Sequence, residues 1–297
     1  MHTIAKTNHI FSFAPDLKSV MTVESGAEIV FETYDCYRGQ LTEPSKNKIH
    51  ALQGVNPATG PVAVKGAMPG DTLKVTVISI DLEETGIMYL RPGAGALHKY
   101  VQEPEVKTFR VVDGLIYFNE RHVFPVRKMI GVIGVAPKNE DIPTYSPGNH
   151  GGNMDTKEIT EGAIVYLPVS VAGAQLAIGD VHALMGDGEV AICGLEIGSR
   201  VRVKVEVLKQ QHFHTPVVED STNFYVIASA ATLDEACQSA VESMFAFLQE
   251  RLPDYEANEI VCIMGLRGDL RVSQIVNPLR TAKFVMPKEG LEVTFAR

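Results

Sequence analysis

The chain has 297 residues, 45% of them apolar, and a formal charge of −9. That is ample for a buried core, in one large domain or two smaller ones, and too apolar for a disordered chain. Its Lys and Arg residues are scattered, which excludes a phosphate-tracking face, so no nucleic-acid partner is expected.

No apolar run approaches the ~20 residues that span a bilayer, so no membrane partner is expected. The opening residues MHTIAKTNHIFSFAPDL lack the apolar stretch of a signal peptide. A cytoplasmic protein is the expectation. Cys36, Cys193, Cys237 and Cys262 lie far apart without C-x-x-C spacing, and free thiols follow for a reducing compartment.

In chain order, the first 210 residues read mostly as strands. Glu28–Thr33, Thr72–Ile80, Phe109–Val112, Leu115–Phe118, Ala163–Leu167, Glu189–Cys193 and Arg200–Leu208 are rich in β-branched residues. Asp113-Gly114, Pro147-Gly148 and Pro69-Gly70 mark turns between them. GAMPGDTLKVTVISI (66–80) echoes CGLEIGSRVRVKVEVLK (193–209), as a duplicated β-unit or as two hairpin arms with the same turn chemistry.

Past residue 225 the pattern changes. Thr232-Leu-Asp-Glu235 spells a capping box, and Leu233, Ala236, Cys237, Ala240, Val241, Met244, Phe245 and Leu248 follow at helical spacing. A second helix is predicted over about Tyr255–Gly265, with Ala257, Ile260, Val261 and Met264 on one side, and a helical turn after Asp269. The expected fold is therefore mostly β. A β-sandwich or barrel-like body over residues 1–220 carries the active site, and an α+β portion over residues 221–297 packs on it.

The chemistry concentrates in residues 149–196, which place His150, Asp155, Glu158, His182, Asp187, Glu189 and Glu196 among glycines. Imidazoles and carboxylates bind divalent metals and move protons. Each taken alone has a plain structural reading: Asp155 as a turn cap, Asp180 and Asp187 as turn acids. His182 is harder to dismiss, because an imidazole between a turn and an apolar pair needs partners or a metal. Asp35 ends the strand EIVFETY beside a Gly-containing loop, as a ligand or as a turn acid. Cys36 next to it is a minor nucleophile candidate, since its neighbour is a carboxylate rather than a base.

G-N-H-G-G-N-M-D, E-G-A-x-V-Y-L-P-V, G-D-V-H-A-L-M-G-D-G-E and G-D-L-R-V-S-Q-I-V-N-P resemble the signature blocks of the acetamidase/formamidase family. Y-D-C-Y-R-G-Q, N-P-A-T-G-P-V and G-A-x-P-G-D-x-L-x-V resemble it too, so the likeness runs from about residue 10 to 290. The resemblance implies hydrolysis of small amides to a carboxylate and ammonia, a mostly β fold and assembly as a homodimer or higher homo-oligomer. It also implies a divalent metal, zinc foremost with calcium as the alternative. Carried onto this chain, the metal residues are Asp35 and His182, with His150 or Asp155 completing the shell, and Glu189 is the acid/base. Gly151 and Gly152 by their backbone, or Asn149 and Asn153 by their amides, are the substrate-binding candidates. The rival expectation is a non-catalytic small-molecule or calcium-binding β protein.

Overall fold

The computed structural model describes residues 2–42, 44–46, 52–209, 211–291 and 293. It is built of stacked β-sheets with two helices near the C-terminus, as the mostly β, C-terminally α+β expectation requires. Among the described residues no helix is long and apolar enough to cross a membrane.

The nine-stranded sheet is organised around Thr72–Leu82 and Ser199–Leu208, the two echoing segments. They pair antiparallel with each other, from Ser199↔Leu82 to Leu208↔Thr72. In Ser199–Leu208, Val201, Val203 and Val205 face the core and the intervening Arg and Lys side chains face outward, as a period of two demands. A seven-stranded sheet lies against it, with Leu176–His182 between Met129–Gly134 and Ala58–Val64. Both of these flanking strands are buried along their whole length. Ile29, Phe31, Val75 and Val203 from one sheet and Ile130, Ile133, Leu176 and Ile178 from the other form the main core.

The large sheet runs without a break across residue 220. Val217–Glu219 pairs with Asn223–Ala230, which pairs with Arg280–Pro287. The C-terminal portion thus extends the body's own sheet, and its helices cover that extension. Helix α1, Leu233–Arg251, starts at the capping box: Thr232 Oγ1 accepts from Glu235 N, and Thr232 N donates to Glu235 Oε2. Its stripe Ala236, Ala240, Met244, Phe247 and Leu248 packs on Phe224, Val226 and Phe284. Helix α2, Ala257–Arg267, buries Ile260 and Met264 but leaves Ala257 and Val261 exposed, so its inward face is narrower than expected.

Two expected elements differ. Asp269 opens a strand, Asp269–Gln274, rather than a helical turn, because Arg280–Pro287 offers it an unpaired edge. Glu189–Cys193 is turn rather than strand: Glu189 and Ile192 have left-handed backbones that interrupt an extended run.

Candidate active site

The end of Leu176–His182 carries Asp180 and His182. Its pairing with Met129–Gly134 steps from Val132↔Gly179 to Ile130↔Val181, leaving Asp180 unmatched with a φ of 53°. Opposite that irregularity stands Gly131. A Cβ there would lie 2.6 Å from Asp155 Oδ1 and 2.7 Å from Asp180 Oδ2. Only a residue without a side chain leaves both carboxylates room. Gly194 does the same for His182, whose Nδ1 would be 2.6 Å from a Cβ. Glu196 reaches the same place through isolated bridges that pair it with His182 and Ile87.

Two groups of ligand-capable atoms result, Asp155 with His182 and Glu189, and Cys36 with Asp180 and Glu196. All six residues are buried, and within each group the atoms lie within 4.8 Å of one another. His182 joins the groups, its Nε2 standing 3.1 Å from Glu196 Oε1 and 3.6 Å from Asp180 Oδ1. Asp155 Oδ1, Asp180 Oδ1, Glu189 Oε2, Glu196 Oε2 and His182 Nδ1 have no hydrogen-bond partner in the protein. Buried polar atoms are ordinarily paired, and leaving one unpaired costs about 1–3 kcal/mol. A cluster of them marks a place built for something else to bind.

The electrostatics agree. Burial, with the Asp180 charge beside it, pushes Asp155 up to about 6. Burial pushes Glu196 up to about 8, against the pull of His182. Burial and the Asp155 charge hold Glu189 well above the usual carboxylate range. Burial opposes charge on His182, but Glu196 and Asp180 outweigh it and hold the imidazole pKa high. Asp155, Asp180 and Glu189 all sit at positive φ, at 44°, 53° and 47°. Such backbones cost on the order of 1–3 kcal/mol each and persist where the surroundings over-determine them.

A cavity of about 320 Å³ opens onto the cluster, and Tyr37, Tyr89, Arg91, Tyr145, Asn153 and Asn277 line it with the carboxylates. A second, apolar cavity of about 290 Å³ meets Glu189 from the other side, between Met88, Phe109, Phe118 and Leu195.

Of the expected residues, the fold brings Asp155, His182, Glu189 and Asn153 together. It places the others elsewhere. Asp35 accepts from the backbone N–H groups of Tyr37 and Gly39, at 2.8 and 3.0 Å, and belongs to neither ligand group. His150 is buried edge-on against Phe13, outside both groups, and burial lowers it to about 4, so its ring is neutral. Asn149 lines a different cavity, beside Phe213 and α1. Gly151 and Gly152 pair in the sheet with Met129–Gly134. Burial and the charges of Glu196 and Asp180 push the Cys36 thiol up, against a thiolate nucleophile. By sequence Asp180 reads as a turn acid and Glu196 as part of the acid-rich segment without a role, while Asn277 and Gly131 were not anticipated. Asp180 stands two residues before His182 on one strand, and that spacing puts both on one face.

Gly131→Ala is expected to lower amide hydrolysis by at least about tenfold, since its methyl group must displace a carboxylate or backbone atom; disturbing the groups that hold such side chains in place typically costs 10–100-fold. Steady-state rates beside a thermal melt check it, and an unaltered rate would mean that Asp155 and Asp180 have slack.

A mostly β scaffold closing over a buried carboxylate–imidazole cluster holds side chains suited to metal binding and proton transfer. The acetamidase/formamidase family model matches residues 3–144 and 139–289. The chain belongs to that family and is an amidase, hydrolysing carbon–nitrogen amide bonds. It is 41% identical to a predicted acetamidase/formamidase of Thermoanaerobacter tengcongensis, with a TM-score of 0.95 over 99% of both chains. With an acetamidase of Bacillus halodurans it shares 40% identity and a TM-score of 0.94 over 98% of both. A formamidase of Methylophilus methylotrophus is 26% identical over 94% of this chain and 88% of its own length. Membership of this family sets aside the non-catalytic alternative.

Proposed function

We propose that the chain hydrolyses small carboxamides of the formamide and acetamide type to carboxylate and ammonia at a divalent-metal centre, and opens small lactams there to the corresponding amino acids. Asp155, His182, Asp180 and Glu196 hold the ion, and Glu189 carries the proton. The observation that supports this reading is the set of partnerless donor atoms around His182. Burying several carboxylates together costs several kcal/mol per charge unless a cation compensates them. A mixed imidazole–carboxylate set suits catalytic zinc, and its oxygen-rich side also suits calcium.

When bound, such an ion polarises the amide carbonyl and lowers the pKa of a nearby water from 15.7 to about 7. The chain's own residues supply the rest. Asn153 and Asn277, on the cavity lining, offer amide groups that orient a carboxamide. Glu189, kept basic by burial and by Asp155, accepts the water's proton and returns it to the departing nitrogen. Ammonia release from formamide and acetamide, and ring opening of a small lactam to its amino acid, by purified protein tests the reading. Binding without turnover would refute it.

We also propose assembly as a homodimer or larger homo-oligomer. Val261, Leu266 and Leu270 are 57%, 85% and 47% exposed, an apolar patch beside the outermost strand Asp269–Gln274. Both an apolar patch and a free sheet edge favour association. Light scattering at micromolar concentration is expected to give a multiple of 32.4 kDa, and a monomer mass would count against it.

A further inference from the structure

We propose that Lys283 is the positioning residue of this centre, latching the segments that carry Asp155 and Glu189 to the C-terminal sheet. Lys283 lies in Arg280–Pro287 and is fully buried. Its ammonium donates to Glu158 Oε2 at 2.6 Å and to Asp187 Oδ1 at 2.9 Å. Glu158 follows Asp155 by three residues, and Asp187 precedes Glu189 by two. One ammonium therefore ties both segments to one strand.

Neighbouring contacts repeat the connection. Thr156 Oγ1 meets Ser273 Oγ at 2.8 Å, and Gly188 N donates to Ser273 O at 2.7 Å. Asn277 Nδ2 donates to Asp155 Oδ2 at 2.6 Å. The segments need such holding, because Asp155 and Glu189 both have left-handed backbones that their own sequences do not favour. Stability alone does not call for the triad. A buried ion pair is often matched or bettered by apolar side chains of the same volume. What it supplies here is direction: a fixed point from which both segments project inward.

The inference rests on the metal-amidase reading for its consequences and on geometry for its cause. The two carboxylates divide the effect. Glu158→Gln loosens the Asp155 side and is expected to weaken zinc binding by about 10–100-fold, the usual loss for an outer-shell partner. Asp187→Asn loosens the Glu189 side and is expected to lower kcat by a similar factor with KM for acetamide and zinc content little changed. Lys283→Met is expected to do both. Because that variant leaves two carboxylates facing each other, the uncharged triple K283M/E158Q/D187N is made beside it.

Zinc affinity by competition with a chromophoric chelator, kcat and KM, and hydrogen exchange of residues 155–158 and 186–190 are measured on the intact protein. Exchange in both segments is expected to speed up at least about tenfold in Lys283→Met and in the triple variant, with the strand Ser199–Leu208 unchanged as the control. Wild-type exchange, zinc affinity and kcat in those variants would overturn the latch, whatever their melting temperatures. A wild-type protein that bound no zinc and hydrolysed no amide would instead overturn the proposed function, and the exchange data would still decide the latch.

Discussion

Stripping the protein with a chelator is expected to abolish ammonia release from acetamide, and added zinc is expected to restore it. The reason is the charge held around His182. Its Nε2 lies 3.1 Å from Glu196 Oε1 and 3.6 Å from Asp180 Oδ1, all of them buried. Without a cation only His182 offsets these buried acids, and several of their oxygens have no partner. With one, the same atoms become ligands, and the stabilisation of developing charge amounts to several kcal/mol. At 1.36 kcal/mol per tenfold in rate, a loss on the order of 10³-fold follows. His182→Ala is expected to reproduce it, because it removes the one imidazole in either ligand group. A ligand that binds only the folded state also stabilises it, by about 2.7 kcal/mol at 100 times Kd. The stripped protein should therefore melt at a lower temperature. Full activity in a preparation shown by elemental analysis to be metal-free would sink the proposal.

Glu189→Gln is expected to cost about 10²–10⁴-fold in kcat, the usual contribution of a general acid/base. The substitution keeps size and shape but cannot carry a proton. Glu189 is 6% exposed and has an unpartnered Oε2. Burial and the neighbouring Asp155 charge hold its pKa well above that of a free carboxylate. Glu189 also lies within 4.8 Å of the Asp155 and His182 donor atoms, so metal content has to be measured on the same sample. A slow variant with a full complement of metal supports the division proposed here. A variant that has lost its metal makes Glu189 a ligand, and a fast one makes it structural.

The chain by itself determined the elements whose signals are local. The alternating valines at 201, 203 and 205, the capping box at Thr232–Glu235 and the helical stripe that follows were all legible. Each is decided by side chains a few residues apart, and the structure agrees with each. The concentration of ionisable groups was legible too: Asp155, His182, Glu189 and Glu196 of the buried cluster all come from the one segment marked by its acids, imidazoles and glycines. What the sequence did not decide was which acids meet. Asp35 reads as a ligand or a turn acid, and Asp180 as a turn acid. Asp35 has its carboxylate satisfied by its own turn, while Asp180 is turned into the cluster by an irregular strand pairing opposite Gly131. The strand expected at Glu189–Cys193 gave way to left-handed turns, which Gly188 bridging to Gln274 helps to hold. Asn277 and Lys283 stand 96 to 125 residues from the acids they hold, and no local pattern pairs them with those acids. Local periodicity reports which face of an element is buried. Ligand geometry depends on sheet register and on contacts between distant strands, and those are decided only when the whole chain packs.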